Sequence, residues 1–101
     1  MKFMAIGVHG PIDPDIGLQV APRSAAWLSQ QIAAGSLDCA YSLEGGGRLL
    51  IANAESADDL LATLRSAPDV EREWKITRLT DAVAAINAYL ASLPGDSGPP
   101  A

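Results

Sequence analysis

Apolar positions fall along the chain in short blocks whose spacing alternates between the period of a strand and that of a helix. Phe3-Met4-Ala5-Ile6-Gly7-Val8-His9 is an apolar run of strand length closed by Gly10-Pro11, which predicts a first strand buried on both faces. From Gly10 to Pro22 the prolines at 11, 14 and 22, two glycines before the last of them and two aspartates predict a long irregular loop, either a lid or a loose connection. Pro22 suits a first helical turn; Ala25, Leu28 and Ile32 then form a stripe that Gly35 closes as a C-terminal cap. Asp38 to Leu43 and Arg48 to Asn53 flank Glu44-Gly45-Gly46-Gly47 and read as an antiparallel pair joined by a glycine turn.

Ser56 with Asp59 three residues on resembles a capping box for a second helix, carried by Leu60, Leu61 and Leu64 and stopped before Pro68. Val70 to Leu79 alternates, placing Val70, Arg72, Trp74, Ile76 and Arg78 on the face expected to meet the helices. Thr80 is the expected cap of a third helix whose buried face is Val83, Ile86, Leu90 and Leu93. Residues 1–93 thus make one domain, and 94–101, rich in Gly and Pro, form a tail expected to be disordered.

Strand, helix, strand, strand, helix, strand is the split βαβ order, so the fold class is α+β: a ferredoxin-like βαββαβ unit with a four-stranded antiparallel sheet and an added C-terminal helix. Two helices cover one face of such a sheet. The other face needs a cover, and a second copy of the chain is the simplest one, which predicts a homodimer or larger homo-oligomer.

Composition narrows the partners. The formal net charge of −5 comes with no clustered Lys/Arg stripe, which argues against nucleic acid and against an anionic membrane surface. No apolar stretch approaches the ~20 residues that cross a bilayer. Cys39 is the only cysteine, which leaves no intramolecular disulfide and agrees with a reducing cytoplasm.

The chain resembles the muconolactone isomerase-like branch of the dimeric α+β-barrel superfamily. The resemblance runs best from Leu49 to Leu79: an apolar strand into Asn53-Ala54-Glu55-Ser56, a helix through Leu60, Leu61 and Leu64, then Ala67-Pro68 and a last strand. It extends to the first helix through Leu28, Ile32 and Gly35. It implies a dimeric α+β barrel and chemistry on a small molecule without a bound organic cofactor, in a pocket bounded by sheet, helices and in some members the partner subunit.

Few residues carry chemistry. His9, the only histidine, stands where the first strand ends; it can move a proton between two substrate atoms near neutral pH, or merely hydrogen-bond backbone. Tyr41 can donate to a substrate oxygen or pack with its hydroxyl satisfied by protein. Arg48, Arg72 and Arg78 lie at strand ends, where one of them can clamp a carboxylate or pair with nearby glutamates. Trp27 and Trp74 can wall a flat ligand or belong to the core. Asp13 and Asp15 near His9 match no metal-ligand motif and suit turns, and Gly45-Gly46-Gly47 lacks the Lys and Ser/Thr of a phosphate loop.

Taken with the resemblance, these residues suggest a small cofactor-independent enzyme that isomerises or cyclises a compact unsaturated molecule by proton transfer in a catabolic or biosynthetic pathway. His9 and Tyr41 are its catalytic candidates, and Trp27, Arg48, Arg72 and Trp74 its substrate-binding ones. No metal and no cofactor are expected. A non-catalytic small-molecule-binding or accessory protein is the alternative, and a cofactor-free monooxygenase the third.

Overall fold

The computed structural model describes residues 1–68 and 73–94. Four strands, β1 (Lys2–Val8), β2 (Leu37–Ser42), β3 (Arg48–Asn53) and β4 (Glu73–Leu79), make one antiparallel sheet in the order β2-β3-β1-β4. The helices are α1 (Pro14–Ala34), α2 (Ala57–Arg65) and α3 (Ala82–Ser92). This is the ferredoxin-like arrangement that the order of elements predicts.

Register decides which side chains meet the helices. Phe3 pairs with Ala52 and Ala5 with Leu50, while on the other flank Ala5 pairs with Ile76 and Gly7 with Trp74. These residues share one face, and Phe3, Ala5, Leu50 and Ala52 join Leu37 of β2 and Leu60 and Leu64 of α2 in the buried core. Gly7 leaves room for a neighbouring ring. A Cβ there would stand 2.8 Å from Trp74, so only a glycine lets the indole come this close to β1.

Met4, Ile6, Leu49 and Ile51 point to the opposite face, where they are half-buried and Val8 is exposed. The expectation that the first strand is buried on both faces is therefore corrected: burial is deep on the helix side only. A bulge at Asp38 sets the pleat of the edge strand, since Leu37 pairs with Ala52 and Cys39 with Ile51. Asp38 is held by Lys2 Nζ and by Asn53 Nδ2, the latter at 2.7 Å. Those bonds hold its carboxyl below the ordinary aspartate value, the Lys2 contact first and the Asn53 contact second.

The predicted loop from Gly10 to Pro22 is another correction. Asp13 caps α1, its carboxylate accepting from the Asp15 backbone N–H at 2.8 Å, and Pro14 takes the first helical position. The helix then runs through Pro22, which is exposed beside exposed Leu18. The Leu18 carbonyl that loses its usual N–H partner there lies on the side open to water, which lowers the cost of an interior proline. Its inward stripe is Gly17, Val20, Ser24, Trp27, Leu28 and Gln31 rather than the predicted Ala25, Leu28 and Ile32. Ile32 is exposed, whereas Gly35 does close the helix in a left-handed conformation.

Ser56 caps α2 as predicted, accepting from the Asp59 N–H at 3.1 Å. β4 is described from Glu73, so Val70 and Arg72 lie outside the described residues, as does the predicted tail from 95 onward. The third helix departs from expectation in two ways. Asp81, not Thr80, is its cap, accepting from the Ala84 N–H at 2.9 Å. No residue of α3 is buried: Val83, Ile86 and Leu90, expected in the core, are all more than half exposed, and Leu93 is also exposed.

Candidate functional site

The hairpin joining β2 to β3 folds back on the end of β1. A Cβ at Gly47 would lie 2.8 Å from the Gly7 carbonyl oxygen, and its φ of +146° is one that side chains rarely adopt, so this contact needs glycine. Gly46 in turn sits over His9: a Cβ at Gly46 would meet His9 Cε1 at 3.5 Å. The triple glycine is a turn, as its composition predicts, and it brings the hairpin against the one histidine.

His9 Nδ1 lies 2.8 Å from the carbonyl oxygen of Gly10. A carbonyl can only accept, so Nδ1 carries the hydrogen, and in the neutral ring Nε2 is left with the lone pair. The sequence offers no orienting partner for this imidazole. The backbone beside it supplies one.

Between α1, the C-terminal half of β2 and the start of β3 is a partly open cavity of about 290 Å³, close to the lower end of the ~300–1,000 Å³ common for ligand sites. Its apolar wall includes Ile12, Val20, Ala25, Leu28 and Ala40; His9, Ser24, Ser42 and Arg48 supply polar groups. Arg48 arrives because it pairs with Gly7 on one side and Ser42 on the other, on the helix-facing side of the sheet.

Of the residues singled out from the sequence, the fold brings His9, Arg48 and Tyr41 to this cavity. Tyr41 borders it between Ala40 and Ser42, but its pairing with Leu49 sends the side chain toward the opposite face, and it is 63% exposed. Trp27 and Trp74 are not brought there; both pack against the hydrophobic core. Arg72 lies outside the described residues. Asp13 is engaged as a helix cap, and among the described residues no three His, Cys, Asp or Glu side chains gather as a metal site would require. No described helix is long and apolar enough to cross a membrane.

Ser24 and Ser42 were not anticipated. Ser24 stands one turn before Leu28 in the helix expected from Pro22, so the spacing could have shown it on the inward side; the expected stripe instead begins at Ala25.

No protein-family model matches the sequence, and no curated protein matches it. Solved structures do. A 5-chloro-2-hydroxyhydroquinone dehydrochlorinase from Burkholderia phenoliruptrix, solved with 2,5-dihydroxybenzoquinone, superposes with a TM-score of 0.66 at 16% identity, over 83% of this chain and 98% of that one. A muconolactone isomerase superposes with a TM-score of 0.67 at 17% identity, over 80% of this chain and 90% of that one. At such identities the likeness is one of fold alone: the chain shares the α+β arrangement of these two structures, a muconolactone isomerase-like fold.

Proposed function

We propose that the chain is a small enzyme that works without a bound cofactor and isomerises a compact unsaturated molecule by moving a proton within the cavity at His9. The observation that carries this is the Gly10 carbonyl at 2.8 Å from Nδ1, which leaves Nε2 as a base on a ring that borders the cavity. Nε2 takes a proton from a carbon made acidic by a neighbouring carbonyl. The electron pair of that C–H bond moves into the conjugated system, and the enolate oxygen is held by the Arg48 guanidinium. The imidazolium keeps its Nδ1–H on Gly10 and returns the proton to another carbon of the same system. Proton count and oxidation state are unchanged while a double bond shifts.

The reactions named for the two solved relatives, a lactone isomerisation and a dehydrochlorination of a hydroxylated ring, fit a reading in which the substrate is a compact oxygenated ring. Arg72, Trp27 and Trp74 have no part in this scheme. Tyr41 is assigned to the outer face of the sheet, which a second copy of the chain covers together with the apolar α3.

Deuterium uptake from D2O tests the reaction. Incubated with muconolactone and with hydroxyhydroquinones, the protein is expected to exchange a carbon-bound hydrogen in at least one of them. His9→Gln should slow that exchange by roughly 10²–10⁴ while binding persists. Binding without exchange in the wild type would move the chain to the class of small-molecule-binding proteins, and exchange unaffected by His9→Gln would remove the histidine from the reaction.

A further inference from the structure

Among the described residues Ser24 is the one buried polar side chain, 5% exposed, and it also lines the cavity. Its hydroxyl donates to the carbonyl oxygen of Pro68 at 2.9 Å, tying the middle of α1 to the segment that follows α2. A serine hydroxyl has one hydrogen and two lone pairs. With the hydrogen engaged by Pro68, only acceptor capacity is left for anything that enters the cavity.

We propose that Ser24 selects ligands that carry a hydrogen-bond donor, a hydroxyl or an amino group, on the ring that lies against α1. This rests on the reading of the cavity as a substrate site and adds what the substrate must look like. Arg48 favours an anionic oxygen at one side of the cavity, and the wall of Ile12, Val20, Ala25 and Leu28 favours an apolar body. Ser24 adds the third requirement. A keto or ether oxygen placed against Oγ would face lone pair to lone pair, so the ligand class is a compact unsaturated ring bearing an acidic group and, across from it, an O–H or N–H.

The probes are 3- and 4-hydroxybenzoate, their methyl ethers and the matching aminobenzoates, titrated by calorimetry. The wild type is expected to bind one hydroxybenzoate roughly tenfold or more tighter than its methyl ether. The matching aminobenzoate shows which donor is preferred. In Ser24→Ala that preference should shrink to within about twofold, and Ser24→Thr, which keeps the hydroxyl, should retain it. If Ser24→Ala does not fold, Ser24→Cys serves instead, since sulfur is a weak acceptor of similar shape, and the preference should shrink there too.

The two levels fail separately. Equal affinity for hydroxybenzoate and ether in the wild type, or a preference that survives in a folded Ser24→Ala or Ser24→Cys, overturns the role of Ser24 and leaves the cavity reading intact. Failure of the wild type to bind any of the six overturns the cavity as a site for such acids, and the selection with it.

Discussion

The helices α2 and α3 are alike in length and opposite in fate. α2 carries Asp58, Asp59 and Arg65 among its nine residues and buries Leu60 and Leu64 against the sheet. α3 has no charged residue from Ala82 to Ser92 and buries nothing. Apolar content alone does not put a helix in the core; what matters is whether the chain delivers it to a waiting surface. α2 returns across the sheet between β3 and β4, whereas α3 follows the last strand after both inner positions are occupied by α1 and α2. Its apolar surface, like that of Met4, Ile6, Leu49 and Ile51 on the outer face, is what a second copy would remove from water.

The contrast can be broken most decisively at α3. Ile86→Glu with Leu90→Glu places two charges on its apolar side. Sedimentation at micromolar concentration is expected to change from an assembly of at least two copies to a monomer, with the fold of the body intact. A wild type that already sediments as a monomer, or a double variant of unchanged mass, removes the second copy from the account. In α2 the corresponding change acts on the body itself: Leu60→Ala leaves a cavity in the core and should lower unfolding free energy by about 2–5 kcal/mol in urea titrations. A loss below about 1 kcal/mol would mean that α2 is no better seated than α3.

The caps sharpen the same contrast. Ser56→Ala is expected to cost about 1 kcal/mol of global stability, because α2 unfolds with the sheet. Asp81→Ala, made in the monomeric α3 variant, should leave the unfolding midpoint of the body unchanged within about 0.5 kcal/mol while helical circular dichroism falls. Equal costs would show that the two helices unfold together.

The smallest effect belongs to neither helix and serves as a control on the sheet. Asp38 holds its proton less tightly folded than unfolded, so its contribution is complete above the unfolded carboxylate value of about 3.9. It fades as pH falls through the lower folded value. Asp38→Asn should therefore flatten the acid limb of melting temperature against pH below about pH 4. Parallel limbs for the two proteins would show that the Lys2 and Asn53 contacts add nothing in solution.

Much of the architecture was legible because the sheet and α2 announce themselves locally. Ser56, the Leu60/Leu64 spacing and the glycine turn each specify their element without help from distant residues. The start of α1 was not, since Pro22 reads as a beginning when only neighbours are considered, and only the tertiary setting shows that its missing hydrogen bond faces water. The exposure of α3 was equally hidden, because spacing tells which residues share a side of a helix and not what that side meets. At the site, His9 and Arg48 were found by residue type. The Gly10 carbonyl and Ser24 were not, since backbone acceptors have no letter of their own and a serine in the expected first turn of a helix looks like solvent-facing polarity.

The seating of the aromatic residues divides the molecule optically. Both tryptophans, Trp27 and Trp74, pack on the hydrophobic core, the latter close against Gly7, while both tyrosines, Tyr41 and Tyr89, are exposed. Indole emission excited at the red edge should accordingly report only melting of the body. Phenol absorbance, by contrast, should follow whatever settles on the outer sheet or on α3. Without any label, the protein would thus show its folding and any association with a second copy in separate colours.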